Sequence, residues 1–119
     1  MARILLAEDD DSMRAFLTKA LQNAGHEVVS FGEGREAHER LKSDVFDILL
    51  TDIVMPEMDG IELARRAAEL DPTLKIMFIT GFAAVALSPE AAAPEDAKVL
   101  SKPFHLRELV SEVERLMAA

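Results

Sequence analysis

The sequence predicts an α/β domain with a parallel β-sheet, helices on both faces and right-handed crossovers. Two observations carry that expectation. Five strand-like segments, Arg3–Ala7, Glu27–Phe31, Asp47–Thr51, Lys75–Thr80 and Ala97–Ser101, alternate with segments of helical spacing. The central segment, Asp47-Ile-Leu-Leu-Thr51, lacks apolar–polar alternation, as a strand covered on both faces does. A chain of 119 residues, half of them apolar, suffices for one core, so a single domain over 1–119 with no output domain is expected.

Each element has its own signals. After the first strand, Met13, Phe16, Leu17, Ala20, Leu21 and Ala24 recur at helical spacing from Ser12 to Ala24. Asp10 or Asp11 suits the N-cap, and Gly25 the C′ position. Gly32 and Gly34 mark a turn before a short helix over about Arg35–Lys42. A loop to Gly60 leads into a helix over Ile61–Leu70, stopped by Asp71-Pro72. Pro89 and Pro94 disfavour a full helix between Thr80 and Ala97, leaving a short helical stretch within Phe82–Leu87. Leu106, Leu109, Val110, Val113, Leu116 and Met117 stripe a final amphipathic helix.

Composition excludes several classes. The chain has no cysteine, hence no disulfide, thiolate metal site or cysteine nucleophile. Thirteen Lys and Arg face 22 Asp and Glu, a formal charge of −9 that argues against nucleic-acid binding. The apolar run Ile4–Ala7 near the N-terminus is too short for a signal peptide or membrane span, so a cytoplasmic protein is expected, and a monomer with it. His26, His38 and His105 are scattered and read as structural or surface residues, and the six methionines as core filling.

The chemistry collects at one predicted edge. Glu8 and Asp9, Asp52, Thr80 and Lys102 follow strands one, three, four and five, and the carboxyl ends of parallel strands carry the site in such sheets. Two carboxylates about 4 Å apart repel by roughly 4 kcal/mol at an effective dielectric near 20. Either one carboxyl stays protonated or a cation sits between them. Oxygen ligands without His or Cys favour Mg²⁺ or Mn²⁺. Phosphoryl transfer needs an in-line nucleophile and neutralised equatorial oxygens. Asp52 can supply the first, and a metal on Glu8, Asp9 and Asp52 together with the Lys102 ammonium the second. Thr80 can donate to a phosphoryl oxygen, and ionised Asp52 needs no base. Asp10 and Asp11 read instead as helix-capping and surface charge.

AEDD after the first strand, TDIVMPEMDG around Asp52, ITG after the fourth and SKPF after the fifth resemble the receiver domain of bacterial response regulators. The resemblance spans essentially the whole chain and implies a flavodoxin-like, CheY-like (βα)5 fold with a five-stranded parallel sheet. It implies that Asp52 is the phosphoacceptor, that Glu8 and Asp9 hold the metal with the Val54 backbone carbonyl, that Thr80 is the switch hydroxyl, and that Lys102 pairs with the phosphoryl group. It further implies a cis Lys102–Pro103 bond and a histidine kinase or phosphotransfer protein as donor. DIVMPEMDGIELARRA and GFAAVAL resemble stand-alone CpdR-type regulators of alphaproteobacteria, which implies an adaptor role for the ClpXP protease. The terminal Leu116-Met-Ala-Ala119 suits a C-terminal degradation tag as well as a helix end.

Departures from the family are informative. Val99 occupies the fifth-strand position where an aromatic ring usually reports phosphorylation, leaving Phe82 as an alternative mobile ring. The apolar run from Phe82 suits a partner surface. Val54 and Phe82 stand at the two positions that flank the acceptor in the family, and neither can orient a water, so the resemblance implies slow self-hydrolysis. Three rivals compete: a phosphate shuttle or sink without effector, an aspartyl-phosphate phosphohydrolase and a flavin-binding protein. The phosphohydrolase lacks its general acid, because Val54 stands two residues past Asp52. The flavin-binding reading requires a phosphate-cradling loop where EDDD stands.

Overall fold

In the computed structural model, which describes residues 1–81, 93–94 and 96–118, nine elements follow in order. They are β1 (Arg3–Ala7), α1 (Asp11–Asn23), β2 (Glu27–Phe31), α2 (Gly34–Ser43), β3 (Ile48–Thr51), α3 (Gly60–Leu70), β4 (Lys75–Thr80), β5 (Lys98–Ser101) and α4 (Leu106–Ala118). The strands form one parallel sheet of order β2-β1-β3-β4-β5. That is the doubly wound order in which the chain reverses direction beside β1 and β3, opening a crevice at their carboxyl ends.

Strand periodicity sorts the core into two layers. Leu5, Ala7, Leu49, Ile76 and Phe78 point to the face covered by α2 and α3. Ile4, Leu6, Ile48, Leu50, Met77 and Ile79 point to the face covered by α1 and α4. Successive side chains alternate across a strand, so one apolar run serves both layers. β3, with all four residues buried, is the middle of the sheet as its unalternated sequence implies.

The helix boundaries follow their local chemistry. Asp10 caps α1, its Oδ1 accepting from the Met13 N–H at 2.8 Å, while Asp11 opens the helix and pairs with Arg14. Gly25, at φ +96°, closes α1: its N–H donates to Gln22 O, and the His26 N–H to Leu21 O. Those two bonds satisfy the last carbonyls as a Schellman motif does. Gly60 opens α3 one residue earlier than expected, with Asp59 as cap accepting from the Glu62 N–H at 2.8 Å.

Two expectations need correction, and a third falls outside the described residues. Within α1 the fully buried side chains are Leu17 and Leu21, whereas Phe16 is 55% exposed. Leu17 and Leu21, one turn apart, pack into the layer with Ile4 and Leu6, and Phe16 lies outside that line. Of the methionines, Met55 and Met77 are buried, but Met1 and Met117 are exposed and fill no core. The expected helical stretch within Phe82–Leu87 lies outside the described residues, as do Phe82 and Pro89. His26 is structural: it is buried, and its Nδ1 accepts from the Ala2 N–H at 2.9 Å.

Candidate functional site

Asp52 follows β3 directly, and its own side chain helps end the strand. Its Oδ1 accepts from the Ile53 N–H at 2.7 Å, and Thr51 Oγ1 donates to its carbonyl oxygen at 2.8 Å. Its backbone N–H still reaches Ala7 O at 3.0 Å, so the residue is anchored to β1 as the chain leaves the sheet. The first turn of α3 then closes onto it. The Gly60 N–H donates to Ile53 O at 2.8 Å, and a Cβ at Gly60 would stand 1.8 Å from the Asp52 carbonyl oxygen. Only glycine permits that approach.

Glu8 and Asp9 follow β1. Glu8 is 1% exposed; its N–H donates to Phe31 O, and its Oε2 accepts from the Asp10 N–H at 3.1 Å. Asp9 is exposed. Carboxylate oxygens of Glu8, Asp9 and Asp52 lie within 4.8 Å of one another. Lys102, after β5, faces them: its Nζ stands 3.2 Å from Asp52 Oδ2 and 3.5 Å from Glu8 Oε1. The Lys102–Pro103 peptide is cis, and the Lys102 N–H donates to Thr80 O at 2.8 Å. Thr80 itself is buried at the end of β4, paired in register with Ser101. Val54 is 59% exposed, two residues past Asp52.

Electrostatically the cluster carries more negative charge than Lys102 can balance. Burial pushes the Glu8 carboxyl up to about 7, with Asp52 adding to the rise and the Asp10 N–H and Lys102 opposing it. Burial pulls the Lys102 ammonium down, but Glu8 and Asp52 together outweigh it and leave its pKa above the ordinary value. Without a cation, burial and the neighbouring Asp52 charge thus favour the protonated form of Glu8. The three carboxylates offer oxygen donors alone, a set that fits a hard divalent ion.

The five side chains singled out from the sequence thus fall at one edge: Glu8, Asp9 and Asp52 together, Lys102 against Glu8 and Asp52, and Thr80 on the neighbouring strand end. Gly60, which the receiver resemblance already implies as part of the loop shaping the acceptor edge, lies against the Asp52 backbone. One contributor escaped the sequence reading: Arg14, whose guanidinium donates to Glu8 O at 2.8 Å, had no sequence signal, because the contact joins a helix to a loop carbonyl.

Comparison with known proteins agrees with this arrangement. Residues 4–114 match the response regulator receiver domain model. The chain is 69% identical to the response regulator receiver protein CpdR of Brucella abortus, covering 100% of this chain and 99% of that protein. It is 38% identical to the sensor kinase CckA of the same organism over 98% of this chain, but spans only 12% of that kinase. Among solved structures, a receiver protein from Sinorhizobium medicae superposes with a TM-score of 0.87 at 31% identity, covering 98% of this chain and 94% of that one. The response regulator TrrA of Thermotoga maritima, solved with Mg²⁺ and a beryllium fluoride, superposes at 0.83 with 29% identity over 98% and 99% of the two chains. A five-stranded parallel sheet with an acidic, lysine-faced carboxyl edge and a family match over nearly its whole length place the chain in the response regulator receiver domain family.

Proposed function

We propose that this chain is a stand-alone response regulator that accepts a phosphoryl group on Asp52 from a histidine kinase or histidine phosphotransfer protein. The observation that carries the assignment is Lys102 Nζ standing between Asp52 Oδ2 and Glu8 Oε1, at 3.2 and 3.5 Å. Oδ1 of Asp52 accepts from the Ile53 N–H, and Oδ2, which faces the Lys102 ammonium at the open edge, is the oxygen assigned to attack. That oxygen bonds to phosphorus as the donor's P–N bond breaks, and the departing imidazole nitrogen keeps the electron pair and takes a proton. The Lys102 ammonium then turns from Asp52 to the phosphoryl oxygens, and Thr80 is the hydroxyl assigned to follow it. Glu8, Asp9, Asp52 and the Val54 carbonyl would hold Mg²⁺ or Mn²⁺, which when bound neutralises phosphoryl charge. The protein acts as a switch with slow self-hydrolysis, since the exposed Val54 offers no group to orient a water.

The output assigned is a phosphorylation-dependent protein contact. Similarity to CpdR along 99% of that protein's length supports a unit that works without its own output domain. The ClpXP adaptor role implied by the CpdR-type motifs is the specific form we favour over a shuttle or sink. Incubation with a small phosphodonor in Mg²⁺ should add one phosphoryl group by mass spectrometry, and Asp52→Asn should add none. Equal labelling of both would overturn the acceptor assignment. Capture with wild type, with Asp52→Ala and with a beryllium fluoride complex should yield different partner sets; identical sets would sink the switch.

A further inference from the structure

We infer that Arg14 is a positioning residue for the metal-binding loop, holding the Glu8–Asp10 turn so that its carboxylates meet Asp52. This deepens the proposed function and rests on it, because it presumes that the acidic cluster binds a divalent ion.

Arg14 lies in the first turn of α1, where a cation opposes the helix dipole and so gains nothing from its own helix. What it does gain is tertiary. One guanidinium nitrogen donates to the Glu8 carbonyl at 2.8 Å, and the other to Asp11 Oδ1 at 2.6 Å. A rigid fork thus ties the exit of β1 to the start of α1 across the loop that carries Glu8, Asp9 and Asp10. The guanidinium also lies against Gly32, where a Cβ would stand 2.9 Å from Nη1, the nitrogen that donates to Glu8. Gly32 is therefore the floor on which the fork lies, between β2 and α2.

The fork acts on the site through one residue. The Glu8 backbone is held by Arg14 at its carbonyl and by Phe31 O at its N–H, and the Glu8 carboxylate is held by the Asp10 N–H. Removing Arg14 frees the carbonyl and lets the loop rotate, which spreads the carboxylate oxygens now within 4.8 Å. Geometry and charge predict opposite signs. Loss of a nearby positive charge alone would tighten cation binding, whereas loss of positioning weakens it.

The test is a Mn²⁺ titration, followed by electron paramagnetic resonance of the free ion, on wild type, Arg14→Ala, Arg14→Lys, Gly32→Ala and the Arg14→Ala/Gly32→Ala double variant. Arg14→Ala should weaken Mn²⁺ binding about tenfold, as loss of an outer-shell partner typically does. Arg14→Lys, keeping the charge without the fork, should weaken it too. Gly32→Ala should lower affinity in wild type by displacing the guanidinium and have no further effect in the Arg14→Ala background. That coupling keeps the test decisive if one variant is unstable, because a merely structural lesson of either substitution would add. Equal or tighter binding by Arg14→Ala, or additive effects of the two substitutions, would overturn the positioning role while leaving the site intact. Failure of wild type to bind Mn²⁺ would instead overturn the metal site of the proposed function, and the inference with it.

Discussion

Both ends of the sheet set basic side chains against several carboxylates, Arg3 with Arg40 at the amino end and Lys102 at the carboxyl end, yet the two clusters behave oppositely. At the amino end, Arg3 forks onto Asp44 at 2.5 and 2.8 Å, bonds Glu27 and the Val45 carbonyl, and lies 4.6 Å from the centroid of the Phe46 ring. Its neighbours are partly in water: the Glu27 side chain is 51% and the Asp44 side chain 31% exposed. The hydrogen bonds from Arg3 hold the Asp44 carboxyl down at about 2. At the carboxyl end, one ammonium faces Glu8 and Asp52, whose side chains are 1% and 13% exposed, and Glu8 is driven up to about 7. The difference teaches that a carboxylate cluster alone does not mark a site. The amino end is a closed ion-pair staple, saturated by a five-donor guanidinium and by water. The carboxyl end is short of positive charge and of solvent, which leaves room for a cation and a phosphoryl group.

The hardest test of the contrast is Gly60→Ala. The new methyl would stand 1.8 Å from the Asp52 carbonyl oxygen and 2.8 Å from its carbon, both backbone atoms that cannot swing aside. We expect a loss of at least about 3 kcal/mol in urea denaturation, at the upper end of overpacking costs. A loss below about 1 kcal/mol, the range of an ordinary surface change, would show that the α3 N-terminus does not define this edge.

The pH dependence should carry opposite signs at the two ends. Glu8 has its folded pKa raised from 4.5 to about 7, so its contribution to stability is fully present below 4.5 and is lost as pH rises through 7. The loss is at most about 3 kcal/mol in metal-free protein. Asp44 has its folded pKa lowered from 3.8 to about 2, so its contribution is present above 3.8 and is lost as pH falls through 2. Urea midpoints measured across pH should therefore decline between pH 4.5 and 7 without metal, and Glu8→Gln should remove that decline. Mg²⁺ should stabilise more strongly as pH rises over the same window, since it binds the ionised form. A midpoint that rises with pH across this window in both proteins would refute the burial argument for Glu8.

A smaller effect separates the clusters by function. Arg3→Lys keeps the charge but loses the fork, so it should lower the urea midpoint while leaving Mg²⁺ affinity unchanged. A change in Mg²⁺ affinity would mean that the ends of the sheet are coupled. The smallest is Val54→Asn, which places a polar group beside the acceptor and should shorten the lifetime of phosphorylated protein by about two- to tenfold. An unchanged lifetime would move control of hydrolysis away from this position.

Much of this molecule can be read from local patterns. Five strand-like segments, the caps Asp10 and Gly25, and the stop at Asp71-Pro72 each depend on residues close together in the chain, so sequence periodicity and turn chemistry determine them. The members of the site were legible for the same reason: each follows its own strand, and parallel strands deliver such residues to one edge. What the sequence could not decide depends on distance between segments. The charge balance of Glu8 joins residues far apart in the chain, and the contact that requires Gly60 and the Arg14 fork join residues six to eight apart across loops whose path local periodicity does not specify. The exposure of Phe16 belongs with them, since helical spacing specifies a face but not how wide a stripe the sheet will cover. Sequence alone determined which residues reach the acceptor edge; only the tertiary structure decided their charge balance, because desolvation and Coulomb energy depend on what surrounds a group in space.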